Sequence, residues 1–166
     1  MTWITLLTFV AACAAAGSTG SLFPPGSWYR RLDKPAWTPP DWLFPVAWTL
    51  LYLGMAVAAW RVAYSGSALI PLALALWACQ IALNAIWTPI FFGLRRLGGG
   101  LAVLALLWLA VLATTVTFFA VEPLAGWLLV PYVVWVSYAG VLNCSVWQRN
   151  PDERPLVPSE ASPATE

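Results

Sequence analysis

Long apolar stretches alternate with short polar segments along this chain. Lys, Arg, Asp and Glu are absent from five long windows, each about the length of the roughly 20 apolar residues that cross a bilayer. Because backbone amides in lipid must be hydrogen-bonded within their own segment, these windows predict helices. The pattern therefore predicts an all-α integral membrane protein, a bundle of five transmembrane helices. Their predicted limits are 2–22, 42–63, 69–92, 100–121 and 125–147.

Turn-forming residues separate the predicted helices. They are Ser-Gly-Ser at 65–67, Arg-Arg-Leu-Gly-Gly-Gly at 95–100 and Glu-Pro at 122–123. The second helix also carries a start signal at 38–41, where Thr-Pro-Pro-Asp predicts a Thr38 hydroxyl cap followed by proline at the first helical position. Beyond the fifth helix the chain turns polar and rich in proline. We therefore expect a membrane domain at 1–150 and a disordered cytoplasmic tail at 151–166.

Basic side chains concentrate on one predicted face of the membrane. Only 9% of the residues are charged, and eight are Lys or Arg. Arg61 alone lies on the opposite face, so the positive-inside rule predicts an N-terminus outside and a C-terminus in the cytoplasm. The formal net charge of +1 offers no basic surface for nucleic acid, which leaves the bilayer and a small apolar molecule as expected partners. The residues on the cytoplasmic face are Arg30, Arg31, Lys34, Arg95, Arg96, Arg149 and Arg154.

Ionisable and metal-ligating side chains are scarce in the predicted spans. The sequence has no His, and its three Cys lie far apart. A proton relay, a hydrolytic triad or a metal-activated water therefore lacks its parts, and no metal or other cofactor is required. An ion-coupled transporter also fits poorly, because such proteins place ionisable residues inside the membrane. Binding of an apolar ligand remains the leading function.

Polar and aromatic residues form stripes at helical spacing inside three spans. Two interpretations of them stay open. Amide side chains hold transmembrane helices together, and tryptophans anchor helix ends at the membrane interface. The same side chains are also suited to surround a ligand. The stripes are Trp48 and Tyr52 in the second helix, Gln80, Asn84 and Trp87 in the third, and Pro131, Trp135, Ala139 and Asn143 in the fifth.

Four segments carry a family resemblance: WYRRLDKPAWTPPDW (28–42), PVAWTLLY (45–52), QIALNAIWTPIFFG (80–93) and PYVVWVSYAGVLN (131–143). In order and spacing they resemble the segments that mark the TspO/MBR family, the tryptophan-rich sensory proteins and translocator proteins formerly called peripheral-type benzodiazepine receptors. The resemblance covers about residues 2–150. It implies a bundle of five helices, usually dimeric, with a ligand cavity that opens toward the first loop.

The resemblance also implies a function. Family members bind porphyrins such as protoporphyrin IX, isoquinoline carboxamide and benzodiazepine-type drugs and, in animals, cholesterol. The expected role is that of a membrane receptor or sensor whose ligand is a porphyrin or a similar flat apolar molecule. Two alternatives stay open: degradation of the porphyrin in light and oxygen with tryptophan assistance, which would make the protein an enzyme, and transport of a porphyrin or sterol.

Site residues follow from the same resemblance. The first loop, 23–41, is the expected lid: its Arg30, Arg31 and Lys34 would meet porphyrin propionates, and Trp28 and Trp37 would cover the flat ring. If degradation occurs, Trp48 and Trp135 hold the matching catalytic positions. The expected pocket lining is Phe44, Pro45, Ala47, Trp48, Asn84, Trp87, Ala102, Leu106, Trp135, Ala139 and Leu142.

One position departs from the family pattern. In animal members, a sterol-recognition pattern at the end of the fifth helix has Tyr where this chain has Cys144. This departure weakens the expectation of sterol binding and favours a bacterial membrane.

Overall fold

Six α-helices account for most of the computed structural model, which describes residues 2–156. Five of them, counted with the π-helical turn that continues the fourth, are long and apolar enough to cross a membrane, which confirms the predicted bundle. The remaining one, α2, is a short helix in the first loop. The elements are α1 (Trp3–Leu22), α2 (Ser27–Arg31), α3 (Leu43–Ala63), α4 (Ile70–Thr88), a π-helical turn (Pro89–Gly93), α5 (Leu97–Val121) and α6 (Pro123–Arg149).

The start of α3 differs from the prediction. The helix begins at Leu43, and no described side chain caps it. Thr38 is not the cap, because its hydroxyl donates to the Pro35 carbonyl at 2.7 Å. The two prolines that follow Thr38 explain the shift: a residue that precedes proline is kept out of the helical region, so the chain cannot turn helical until it has passed both.

The start of α5 also differs. The three glycines at 98–100 are part of the helix, although the glycine-rich run predicted a turn there. Arg95, with φ of 52°, and Arg96 make the turn instead. Membrane helices tolerate glycine, which also lets neighbouring helices approach closely.

Each membrane-spanning helix packs against at least two others. Helix α5 lies along α4 and α6, α1 contacts α3 and α4, and α3 also contacts α6. Small side chains make this closeness possible, because Ala56, Ala58 and Ala59 of α3 are fully buried.

An ion pair ties two elements at the end of the bundle away from α2. Arg61, near the end of α3, donates from Nε to Glu122 Oε2 at 2.9 Å and from Nη2 to Oε1 at 3.0 Å. Glu122 lies between α5 and α6 and also accepts from the Ala125 amide at 2.7 Å, which caps α6. The hydrogen bonds from Arg61 lower the pKa of the Glu122 carboxyl.

Candidate ligand cavity

A cavity of about 450 Å³ lies within the bundle beneath the first loop. Its walls come from α1, α3, the end of α4 with the π-helical turn, and α6, and the lid segment closes one end. The lining is mostly apolar, and Asp41 is its one carboxylate. The lining residues are Gly17, Thr19, Gly20, Ser21, Phe23, Pro25, Tyr29, Asp41, Phe44, Pro45, Trp48, Tyr52, Asn84, Trp87, Thr88, Phe91, Phe92, Ala139, Leu142, Asn143 and Val146.

Aromatic rings make up much of the wall. The Trp48 ring lies 5.5 Å from that of Tyr52, one turn further along α3. Trp87 of α4 stacks on Phe91 at 5.1 Å, and Phe92 meets Phe91 edge-on at 4.8 Å. The π-helical turn explains why the adjacent residues Phe91 and Phe92 both line the cavity, because a π-helix has an extra residue per turn. Such π-helical insertions are frequent at functional sites.

Hydrogen-bonded polar groups adjoin the wall between α3 and α4. The Tyr52 hydroxyl donates to Asn84 Oδ1 at 2.6 Å, and Asn84 Nδ2 donates to the Tyr132 hydroxyl at 3.0 Å. Tyr132 in turn donates to Gln80 Oε1 at 3.0 Å. Tyr52 and Asn84 line the cavity, whereas Tyr132 and Gln80 lie behind them in the core. The two lining side chains thus have partners already.

The lid presents Tyr29 to the cavity. Its ring meets Phe91 and Phe92 edge-on at 6.2 and 5.3 Å. Lys34 holds it from the other side, with Nζ 4.6 Å from the ring centre and 2.8 Å from the Tyr29 carbonyl oxygen. Burial raises the pKa of Tyr29 to about 12, so the hydroxyl is neutral at physiological pH.

Residues 150–156, here called the tail strap, hold the lid against the bundle. Asn150 Oδ1 accepts from the Asp33 amide, and its Nδ2 donates to the Asp33 carbonyl, both at 2.9 Å. Glu153 Oε2 accepts from the Trp28 indole at 2.9 Å. The Leu156 amide donates to the Leu94 carbonyl at 3.1 Å, beyond the π-helical turn. The structure describes residues 151–156 of the predicted tail, and residues 157–166 lie outside the described residues.

Seven of the residues expected from the resemblance line this cavity. All seven lie in α3, α4 or α6, and all but Phe44 belong to one of the quoted motifs. Their binding of a ligand stays a prediction. They are Phe44, Pro45, Trp48, Asn84, Trp87, Ala139 and Leu142.

The other expected residues lie elsewhere. Trp28 is part of the lid and is buried there, where it meets Phe91 edge-on at 6.0 Å, and Trp37 packs against Tyr138 at 5.6 Å. Trp135 lies behind the wall, 6.4 Å from the Trp48 ring. Of the remaining expected residues, Ala47 is half-buried and Lys34 contacts Tyr29. The exposed ones are Ala102, Leu106, Arg30 and Arg31.

The cavity is also lined by residues that were not part of the expected lining. Helix α1 contributes none of the expected residues, yet Gly17 and Gly20 line the wall, and a Cβ at Gly17 would lie 3.0 Å from the Tyr52 ring. Asn143 lies four residues after Ala139 on the same stripe of α6, and this spacing is the sequence feature that indicates its place in the wall. Tyr29, Phe91 and Phe92 depend on how the lid and the π-helical turn fold, which periodicity does not predict.

Comparison with known proteins identifies relatives over nearly the whole chain. The family model described as TspO/MBR family matches residues 9–148. Protein CrtK of Rhodobacter capsulatus is 57% identical over 153 residues, which cover 90% of this chain and 94% of that protein. The tryptophan-rich sensory protein of Cereibacter sphaeroides is 48% identical, with 90% and 94% covered. The human translocator protein is 38% identical, with 89% and 91% covered.

Proposed function

This chain belongs to the TspO/MBR family, and from that premise we propose that it is a membrane receptor that binds a flat, largely apolar ring system, such as protoporphyrin IX, in the cavity beneath α2. The observation that carries the proposal is the aromatic wall: eight aromatic side chains line a cavity of about 450 Å³. That volume falls within the range of roughly 300–1,000 Å³ typical of small-molecule sites. Stacked and edge-on aromatic contacts favour a planar guest.

The lid suits a ligand with one anionic edge. Arg30 and Arg31 are exposed on α2, directly beside the lining residue Tyr29. A porphyrin whose ring occupies the apolar cavity would have its propionates near the mouth, where these two cations and water can solvate them. A carboxylate deeper in the bundle would lack such partners, since burial of an unpaired charge is costly.

Seven of the eight basic residues support an orientation with the lid on the cytoplasmic side. The structure brings their segments to one end of the bundle: Arg149 lies 3.4 Å from Asp33 of the first loop, and Arg95 lies over the Trp28 ring at 5.9 Å. Arg61 is at the opposite end, with Glu122. We propose on this basis that a ligand enters from the cytoplasm or from the adjoining leaflet. The expected dimer stays a prediction.

Fluorescence titration tests the binding proposal. Protoporphyrin IX added to the detergent-solubilised protein is expected to quench tryptophan emission to a saturating level. Trp48→Phe removes a lining indole and is expected to weaken binding. Trp127→Phe is the matched control, because Trp127 lies at the far end of α6 and is 63% exposed. A linear, unsaturable loss of emission, or the same Kd shift in both variants, would contradict the proposal.

Light-dependent degradation of the bound porphyrin is a second candidate, favoured by one observation. Trp48, in the wall, contacts Trp135 behind it, and Trp135 lies 6.0 Å from Tyr138. In light, Trp48 would donate one electron to the photoexcited porphyrin, the reduced porphyrin would pass it to oxygen to form superoxide, which oxidises the ring, and Trp135 would return one electron to the Trp48 radical. Under illumination, Trp135→Phe is then expected to slow the loss of the porphyrin absorption band without changing Kd. Equal rates in wild type and variant would exclude this role.

A further inference from the structure

A row of four aromatic side chains, here called the aromatic row, runs from the cavity wall to the surface of the first loop. Trp48, which lines the cavity, lies 6.4 Å from Trp135, and Trp135 lies 6.0 Å from Tyr138, measured between ring centroids. Tyr138 lies 5.6 Å from Trp37, which is 46% exposed. All three separations fall within the range of roughly 4.5–7 Å for rings in contact. The aromatic row therefore connects the cavity to water through indole and phenol rings.

Other ring contacts of the wall provide no such connection. Tyr52 and Tyr132 also contact Trp48, at 5.5 and 6.1 Å, but among the described residues neither meets a further ring. Trp87 is connected to the lid through phenylalanine rings, which are far harder to oxidise than an indole or a phenol. Within residues 2–156, an electron that is lost from the wall is thus most readily replaced along the aromatic row.

Loss of one electron leaves an indole radical cation, and its surroundings decide where the positive charge is most stable. Neither Trp48 nor Trp135 is among the tryptophans whose Nε1 has a hydrogen-bond acceptor within residues 2–156. Without an acceptor the oxidised indole keeps its Nε1 proton, and an unpaired charge in apolar surroundings is costly. At the exposed Trp37, water can solvate the charge and accept the proton. The charge is therefore expected to move outward.

We propose that Trp37 is the site at which a soluble one-electron reductant, an enediol such as ascorbate, delivers electrons to the aromatic row. The inference rests on the light-dependent second candidate function. After Trp48 has given one electron to the photoexcited porphyrin, Trp135 reduces Trp48, and Trp37 then reduces Trp135. Trp37 loses its Nε1 proton to water, and the reductant restores one electron and one proton to it. In each cycle the reductant loses one electron and oxygen gains one, so the indoles are regenerated.

Tyr138 is a positioning residue that bridges two indoles of the aromatic row. Its hydroxyl donates to the Trp37 carbonyl oxygen at 2.9 Å, which holds the first loop against its ring. A phenol gives up an electron readily only when its proton can leave, and a carbonyl oxygen is too weak a base to accept that proton. The electron therefore crosses the Tyr138 ring from Trp37 to Trp135 without oxidising Tyr138.

Flash photolysis of the full-length protein in nonionic detergent, saturated with protoporphyrin IX, tests this route. Methyl viologen under argon replaces oxygen as the acceptor of the electron from the reduced porphyrin, which prevents damage by singlet oxygen. The absorbance of the tryptophan radical is followed after the flash at increasing ascorbate concentration. In wild type the decay rate is expected to rise in proportion to ascorbate, because the radical reaches the exposed Trp37.

Trp37→Phe removes the surface indole and keeps an aromatic ring in its place. The radical is then confined to Trp48 and Trp135, and its decay is expected to lose most of its dependence on ascorbate. Tyr138→Leu breaks the bridge while Trp37 is present and is expected to have the same effect, so it decides the test if Trp37→Phe does not fold. Trp42→Phe is the matched control: Trp42 is 65% exposed just before α3, and the variant is expected to behave like wild type.

Peptide mass spectrometry after illumination in air gives a second readout, which a purely structural role would not change. Without ascorbate, wild type is expected to accumulate oxidation mainly at Trp37, where the charge collects. In Trp37→Phe, oxidation at Trp48 and Trp135 is expected to rise severalfold, with or without ascorbate.

The outcomes separate this inference from the binding proposal. The same ascorbate dependence in Trp37→Phe as in wild type would overturn the role of Trp37. If protoporphyrin IX saturates in the fluorescence titration but the flash produces no tryptophan radical in wild type, the light-dependent reaction and the electron route fail together, and the binding proposal stands. If protoporphyrin IX does not saturate, all three fail.

Discussion

The Tyr52 hydroxyl donates a hydrogen bond of 2.6 Å to Asn84 Oδ1, and this contact joins the cavity wall to a chain of polar groups across the bundle. The chain continues through Tyr132 to Gln80 and so links α3, α4 and α6. In an apolar interior such bonds are strong, and a partly broken network is expensive. The polar groups therefore act together in fixing how these helices meet at the cavity.

Tyr132→Phe is expected to destabilise the protein more than Tyr52→Phe. It removes a hydroxyl that accepts from Asn84 and donates to Gln80, and each buried group left unpaired costs about 1–3 kcal/mol. Tyr52→Phe deprives only Asn84 Oδ1 of its donor, at a site that borders the cavity. Thermal unfolding followed by circular dichroism in one detergent gives the comparison. Equal Tm values for the two variants would contradict the network.

The membrane spans were predictable because charge is excluded from lipid. Arg61 and Glu122 lie at the ends of predicted spans, and the structure pairs them there. Helix ends were less predictable where local signals compete. Glycines 98–100 resemble a turn, yet in α5 they extend the helix, and Gly100 gives Asn143 and Phe91 their space. Tertiary packing in that case outweighed local propensity.

The site was predictable only where side chains repeat along one helix. Trp48, Asn84 and Ala139 lie on helix faces that the motifs mark, and all three line the cavity. Trp28 carries the same aromatic signal but is buried within the lid, where its indole donates to Glu153, 125 positions away. No local pattern contains that partner, so the lid's inner and outer faces could not be distinguished from the sequence.

Loosening the tail strap is expected to open the lid. Glu153→Ala removes the acceptor of the Trp28 indole, and Asn150→Ala removes the paired bonds to Asp33. Both variants are expected to speed amide hydrogen exchange at 27–34 and to release protoporphyrin IX faster, because local opening needs less free energy when fewer contacts must break.

Asp152→Ala is the control for these variants, since Asp152 is exposed in the same segment. Exchange is measured by mass spectrometry on full-length protein. Unchanged exchange at 27–34 in both strap variants would show that contacts other than the tail strap hold the lid, such as those of Tyr29 with Phe91 and Phe92.

Enlarging Ala139 is expected to fill the cavity. Ala139→Leu places three added carbons in the wall, and overpacking of this kind costs about 1–3 kcal/mol, which would appear as weaker binding of protoporphyrin IX. Ala102→Leu makes the same change on an exposed face of α5 and is expected to leave Kd unchanged. The fluorescence titration measures both. A loss of affinity in Ala102→Leu alone would move the binding site to the α5 surface.

Acidification is expected to weaken the far end of the bundle through Glu122. Its hydrogen bonds from Arg61 lower its pKa below the ordinary value of 4.5, so the folded protein binds this proton less tightly than the unfolded chain does. The pair therefore contributes stability at neutral pH, and the contribution is lost as pH falls through the lowered pKa.

Glu122→Gln isolates that contribution. At pH 7 the variant is expected to lose about 1 kcal/mol from the weakened α6 cap, and further stability from the ion pair. Because wild-type Glu122 becomes protonated on acidification, the Tm gap between wild type and variant is expected to close as the pH falls below 4.5. Asp152→Asn, which changes an exposed carboxylate in the tail strap, is expected to show no such gap. A Glu122→Gln gap that stays constant down to the acid limit of folding would mean that Arg61 does not stabilise the charged carboxylate, and that the contact between α3 and the α5–α6 turn depends on packing.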